Sequence, residues 1–231
     1  MRDRSSPLPR AAHSSVSASL DLVLCTPQGR TLAVLLVPAP DAGRERWMLP
    51  WVALGGAPAL DESAERLAGD VLGARPAWIA QVRAFGDAKR HPGGAALSVG
   101  YVALTPARDR RLAAGAQWFP AGALPALAPR QKSIVDASMA ALRDRMDSAP
   151  VAFRLLPATF TLTDLQQIYE LLLGRPVHKA SFRRSLQAAW LVEPTDEWRS
   201  EGRGRPAQLF RYAPRKRRGG RRGVRFELPG G

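Results

Sequence analysis

Cysteine is almost absent. Cys25 is the only one in 231 residues, so no intrachain disulfide can form, and a solitary thiol of this kind points to packing rather than to chemistry. Histidine is nearly as scarce: His13, His91 and His178 are scattered without metal-ligand spacing, which argues against a structural zinc or any other metal centre. No apolar run approaches the roughly 20 residues that a membrane-spanning helix needs. The Arg-, Ser- and Pro-containing start lacks the apolar segment of a signal peptide. These absences imply a cytoplasmic protein with no membrane partner. Acid is also short, with 20 Asp+Glu against 34 Lys+Arg and a formal charge of +14, which suggests a polyanionic partner. An Arg- and Ala-rich profile also follows from GC-rich codons, so the distribution says more than the total. Residues 150–231 hold 16 basic against 7 acidic residues, a net of +9.

That last third carries the most informative pattern. Thr163-Asp-Leu-Gln166 reads as a capping box that opens a helix, with Thr163 as cap and Gln166 reaching back. Leu162, Leu165, Ile168, Tyr169 and Leu172 then recur at helical spacing, and Gly174 and Pro176 stop the run. A second helix is expected from about His178 to Trp190, with Phe182, Leu186 and Ala189 on its buried stripe. Its opposite side carries Arg183, Arg184 and Gln187, with Lys179 and Ser181 nearer the N-terminal end. Arg can fork onto guanine, Gln onto adenine, and Lys or Ser can hold phosphates. Leu191-Val-Glu193 and Gln208–Tyr212 flank a glycine-rich turn and read as a β-hairpin wing. Arg203 and Arg205 in Gly202-Arg-Gly-Arg-Pro206 are placed to enter a minor groove or grip phosphates, and this core resembles the AT-hook motif. Helix, helix and Arg-tipped wing in this order imply a winged helix-turn-helix that reads DNA. Similar helices and hairpins also serve in partner-binding domains, where arginines are merely solvated. The tail after Ala213, Arg215-Lys-Arg-Arg218 to Arg222, has too little apolar content to fold and suits sequence-independent phosphate attraction.

The front two-thirds read as α+β. Strands are expected at 19–26 and 31–37 around a Pro27-Gln-Gly29 break, and at 78–85 and 97–104 around a polar loop from Gly86 to Gly94. Helices are expected at 61–72 and 129–146, and residues 147–157 join the two parts. The expected division is a flexible start (1–15), a mixed-sheet domain (16–147), the winged helix (148–214) and a basic tail (215–231).

Leu49-Pro50, Gly55-Gly56, Glu62, Phe85-Gly-Asp87, Arg90, Pro92 and Ser98-Val-Gly-Tyr101, with Trp118-Phe-Pro120, Leu124-Pro125 and Arg130, resemble the Nudix-like domain of Nudix-related transcriptional regulators of the NrtR and NadQ type. Ala152-Phe153, Leu156-Pro157, Phe160-Thr-Leu162, Leu165-Gln166, Gly174-Arg175, His178-Lys179, Phe182-Arg-Arg184, Leu191-Val-Glu-Pro194 and Gly204-Arg-Pro206 resemble the linker and winged helix of the same family. The resemblance runs from about residue 18 to 213 and is strongest in the last third. It implies an N-terminal α/β/α sandwich followed by a winged helix, and an effector that is an adenine nucleotide derivative such as ADP-ribose, with NAD and ATP as relatives.

The departure from active Nudix hydrolases is as informative. Those enzymes gather three glutamates on a helix to hold Mg²⁺ against a diphosphate. Counting from Gly56 keeps Glu62, but Asp70-Val-Leu-Gly-Ala-Arg75 stands where the catalytic run belongs, without those glutamates. No catalytic or metal-ligating residue is therefore assigned, and no cofactor is required. A pocket without the metal face can still take a diphosphate. In Phe85-Gly-Asp-Ala-Lys-Arg90, Gly86 frees backbone amides, Asp87 lies within the same turn, and Lys89 and Arg90 offer phosphate contacts; an ordinary polar hairpin loop is the competing reading. Trp47 and Trp51 suit either base stacking or the core. The sequence thus points to a nucleotide-responsive DNA-binding regulator, a homodimeric repressor acting on double-stranded operator DNA in the nucleoid, and the resemblance implies that its targets are NAD-metabolism genes. A Nudix hydrolase with an accessory nucleic-acid domain, and a DNA- or RNA-bound protein whose Nudix-like part only dimerises, are the rivals.

Overall fold

Strand β1 (Ala18–Gln28) is buried on both sides, which explains the continuous apolar run from Leu22 to Cys25 at its centre. Leu20, Leu22 and Leu24 point to one face of the sheet, where they join Ala64, Ala68, Val71, Tyr101 and Ala103 in one core. Val23 and Cys25 point to the other, with Val34, Leu36, Ile134, Val135 and Leu142. A period of two along a strand covered on both faces produces this pattern. The computed structural model describes residues 16–40, 45–56, 58–106, 111–146, 150–200 and 206–213.

The remaining elements are β2 (Thr31–Pro38), β3 (Trp47–Met48), β4 (Trp51–Leu54), α1 (Leu60–Leu72), β5 (Trp78–Phe85), β6 (Leu97–Leu104), β7 (Gln117–Pro120) and α2 (Pro129–Met146). After them come a 3-10 helix (Val151–Leu155), β8 (Thr159–Phe160), α3 (Leu162–Leu173), α4 (Lys179–Ala189), β9 (Val192–Arg199) and β10 (Ala207–Tyr212). The first seven strands form one mixed sheet with the path β3-β2-β1-β6-β5; β4 joins β1 and β7 joins β2. β1 runs parallel to β6 over Ala18–Cys25 and antiparallel to β2 and β4 on its other edge. Helix α1 covers one face and α2 the other, so the layers are α/β/α, as the family resemblance implies.

The expected strands at 78–85 and 97–104 and the helix at 129–146 have the expected bounds. Strands β3, β4, β7 and β8 go beyond the sequence reading, because pieces of two to four residues carry too few alternations to register. The first hairpin also turns later than expected. Pro27 stays in β1 opposite Leu32, and the reversal falls at Gly29, whose φ of 58° is left-handed.

The second sheet is β8-β10-β9, antiparallel throughout. Tyr169 and Phe182 meet edge-on at 5.2 Å and lock α3 to α4. Residues 147–157, expected as a plain connection, hold the buried 3-10 helix: Val151, Ala152, Phe153 and Leu155 sit in the same apolar cluster as Leu142 and Met146 of α2 and Leu165 and Leu172 of α3. One core therefore runs from the large sheet through α2 into the C-terminal part.

The helix start needs a correction. Thr161, not Thr163, caps α3: its hydroxyl accepts from the Asp164 amide at 3.1 Å, and the Asp164 carboxylate accepts from the Thr161 amide at 2.9 Å. The box is thus Thr161-Leu-Thr-Asp164, two residues upstream, because the chain leaves β8 at Phe160 and Thr161 already has extended backbone. Gln166 turns elsewhere, donating to Glu170 Oε1 and to the Val177 carbonyl, each at 3.0 Å.

Candidate functional site

Helix α4 buries Phe182 and Leu186 and exposes Lys179, Ser181, Arg183, Arg184 and Gln187. Helical geometry places Arg183, Arg184 and Gln187 around the exposed Ala180 and Ala188, with Lys179 and Ser181 at the margins of that face. Two small residues ringed by long donors leave room for close approach to a grooved surface. The structure thus brings all five predicted residues of this helix onto accessible surface. Arg203 and Arg205 lie outside the described residues.

The wing is fastened by a contact that the sequence reading missed. Arg199, at the end of β9, donates from one nitrogen, Nη2, to both Asp164 oxygens at 2.7 and 2.8 Å, tying the wing strand to the cap of α3. Partial burial pushes the Asp164 carboxyl up, but the Arg199 guanidinium and the Thr161 amide and side chain outweigh this and hold it below the usual carboxylate range. The available signal was the T-x-x-D box read two residues too late. Trp198 next to it is exposed.

The loop after β5 is held differently from expectation. Gly86 has no left-handed backbone, and a Cβ there would make only ordinary contact with Leu97. Asp87 is an inward acceptor, bonded to the Lys89 amide at 3.3 Å and to the buried Arg130 Nε at 3.1 Å. Lys89 Nζ donates to Ser133 Oγ at 2.7 Å, and Arg90 pairs with Glu45. Lys89 and Arg90 remain largely solvent-accessible, so the loop presents two cations at its rim.

Beneath them lies a buried polar cluster, also absent from the sequence reading. His91 Nδ1 accepts from the Gly93 amide at 3.0 Å, which places the ring proton on Nε2, and Nε2 donates to Asp21 Oδ1 at 3.0 Å. Gln131 Nε2 donates to the same oxygen at 2.8 Å, and Ser19 Oγ donates to Asp21 Oδ2 at 2.8 Å. These groups span β1, the loop and α2, so only the fold reveals them. Trp51 lies edge-on to His91 at 5.0 Å, and a Cβ on Gly93 would collide with its ring at 2.2 Å. Trp47 packs against Phe119 at 4.7 Å and belongs with the core, whereas Trp51 borders the loop.

Helix α1 does not offer Mg²⁺ a fitting donor set. It ends at Leu72 with Gly73 in left-handed conformation, so the Asp70–Arg75 run straddles the helix end. Asp61 accepts from the Tyr101 hydroxyl at 2.5 Å, and Glu62 pairs with Arg66 at 3.0 Å. Burial first, then the Asp61 contact, push the Tyr101 hydroxyl above its ordinary range. Among the described residues no three His, Cys, Asp or Glu side chains converge as metal ligands. A cavity of about 440 Å³ opens beside this helix, lined by Gly55, Gly56, Ser63, Arg66, Leu67 and Asp70. Complete burial pushes the Cys25 thiol up, which keeps it inert. No described helix is long and apolar enough to cross a membrane.

Comparison with known proteins places these features. Residues 152–212 match the family model of the NrtR DNA-binding winged helix domain. The chain is 30% identical over 213 residues to the ADPR responsive transcriptional repressor NtrR of Acinetobacter baylyi, covering 88% of this chain and 85% of that protein. Its structure is similar to Shewanella oneidensis NrtR complexed with a 27-mer DNA, with a TM-score of 0.73 and 28% identity over 85% of this chain and 94% of the other. A MutT/nudix family protein from Enterococcus faecalis shares the fold at a TM-score of 0.67 and 18% identity, with 90% of each chain covered.

Proposed function

The chain belongs to the Nudix-related transcriptional regulators of the NrtR type, and from that premise we propose that it represses genes of NAD metabolism by binding operator DNA through α4, and that its Nudix-like domain senses ADP-ribose. The observation that carries the reading is the exposed Arg183, Arg184 and Gln187 face, set on a helix whose underside is locked by Phe182 and Leu186. Its donors suit base edges in a major groove, with Lys179 and Ser181 placed for phosphates. Arg203 and Arg205, which fall between β9 and β10 in the sequence, supply further cations. The Shewanella relative was crystallised with DNA, and the Acinetobacter relative is named for its response to ADPR. Both properties carry over to this chain as parts of the proposal.

The effector binds where the Gly86–Arg90 loop presents Lys89 and Arg90, with Gly86 and Asp87 shaping the turn. ADP-ribose is favoured; NAD and ATP share its adenosine diphosphate and are the natural comparisons. The domain binds this ligand without cleaving it, because the α1 donor set does not hold Mg²⁺. A regulator of this build works as a homodimer in the nucleoid, two recognition helices meeting two half-sites. Gel shifts with upstream DNA of candidate NAD genes, with and without ADP-ribose, test the proposal alongside chromatography of the nucleotide in Mg²⁺. The expected outcome is a ligand-dependent shift with the nucleotide recovered intact. Steady release of AMP and ribose phosphate would instead establish a hydrolase.

A further inference from the structure

The proposed effector loop grips one helix at every turn of its course. Asp87 Oδ1 accepts from Arg130 Nε at 3.1 Å, and the Asp87 carbonyl accepts from the same guanidinium. Lys89 Nζ donates to Ser133 Oγ at 2.7 Å. The Arg90 carbonyl accepts from the Arg130 amide at 3.2 Å. His91 reaches Gln131 through Asp21, at 3.0 and 2.8 Å. Four neighbouring loop residues thus converge on positions 130–133, the first turn of α2. Arg130, only 3% exposed, also donates to the Ala95 carbonyl at 2.7 Å and so closes the loop on itself.

The other end of α2 belongs to the DNA-binding part. Leu142 and Met146 share their apolar cluster with Val151, Phe153, Leu165 and Leu172, and α2 packs directly on α3 and on the 3-10 helix. At about 1.5 Å per residue, α2 spans roughly 27 Å between these ends. A helix packed along its length moves as a body rather than bending locally.

Resting on the sensor reading above, we propose that α2 is the coupling element and that the Lys89–Ser133 and Asp87–Arg130 contacts are its latch. A nucleotide diphosphate competes for Lys89, because two phosphates offer more negative charge and more acceptors than the Ser133 hydroxyl at 2.7 Å and the Asp87 carboxylate at 3.7 Å together. Drawing Lys89 and Arg90 outward withdraws the loop from the first turn of α2, and the helix carries the displacement to α3 and hence to α4. A ligand shifts an equilibrium only by its differential affinity for the two arrangements, and the latch contacts are what differs between them. Arg130 and Ser133 are positioning residues. They touch no ligand.

Ser133→Ala removes the latch acceptor on α2 at a half-buried site, and Arg130→Lys alters the buried partner. Two quantities are measured: ADP-ribose affinity of the free protein by calorimetry, and the ratio of operator affinities without and with saturating ADP-ribose by fluorescence anisotropy. Ser133→Ala should bind ADP-ribose as tightly as wild type or more tightly, since Lys89 is freed, while the operator ratio falls at least threefold. Arg130→Lys should lower the ratio further where circular dichroism shows it folded; the surface variant decides the matter if it does not fold. A wild-type ratio in Ser133→Ala overturns the latch and leaves the sensor reading intact. Weaker ADP-ribose binding in Ser133→Ala also overturns it, because Ser133 would then be part of the ligand site. No ADP-ribose binding by wild type overturns the sensor reading and the latch together.

Discussion

Cutting the Asp164–Arg199 ion pair should loosen the wing by a defined amount. The charge-assisted contact of one Arg199 nitrogen with both Asp164 oxygens, at 2.7 and 2.8 Å, would contribute about 1.5–3 kcal/mol if fully shielded from solvent. The side chains are 36% and 27% exposed, so solvent screens the pair, and exposed pairs are worth only about 0–1 kcal/mol. Contact with both carboxylate oxygens and partial burial set the expected coupling between these limits, at about 1–2 kcal/mol in a cycle of Arg199→Met, Asp164→Asn and the double variant. Asp164→Asn alone should cost about 0.5–2 kcal/mol more, because it also weakens the cap of α3. The assay is urea unfolding, repeated as a function of pH. Arg199 and Thr161 depress the Asp164 carboxyl in the folded state, so the stabilisation is fully present above the unfolded value of about 3.9. It is lost as pH falls through the lower, folded value. Coupling should therefore be constant between about pH 5 and 8 and decline below about pH 4. A coupling under about 0.3 kcal/mol, within the scatter of non-interacting sites, or one that persists undiminished to pH 2, would refute the reasoning.

Arg183→Ala or Arg184→Ala should each weaken operator binding by about 1–3 kcal/mol where the guanidinium forks onto a base edge; wild-type anisotropy curves for both would show that the assigned face of α4 is wrong. Changing Arg203 and Arg205 together to Ala should flatten the slope of log K against log salt by up to about 1.8, roughly 0.9 for each phosphate no longer neutralised. An unchanged slope would remove the wing tip from the interface.

Much of this architecture was legible in the chain. The apolar rhythm of Leu165, Tyr169 and Leu172, and of Phe182 and Leu186, marks two helices whose buried faces the structure confirms. Long strands such as Leu97–Leu104 and the 18-residue α2 carry enough repeats to fix their bounds. The two-residue strands β3 and β8 carry too few. The cap of α3 was misplaced because Thr161 and Thr163 both precede plausible partners, and the approach of the chain from β8 decides between them. The site was less legible than the fold. Lys89 and Arg90 announce cations, but not that Ser133 and Glu45 hold them, since those partners lie 44 and 45 residues away. His91 read as an isolated histidine until β1 brought Asp21 beneath it, 70 positions distant.

The central claim is that one chain binds both operator DNA and ADP-ribose and that each site senses the other. Calorimetric titration of ADP-ribose into the free protein and into its operator complex tests it most directly. Linkage requires the operator to change ADP-ribose affinity by the same factor by which ADP-ribose changes operator affinity, about 5–150-fold for a typical allosteric coupling of 1–3 kcal/mol. Equal factors measured from both sides are the predicted result. ADP-ribose binding that is identical with and without operator would contradict the account.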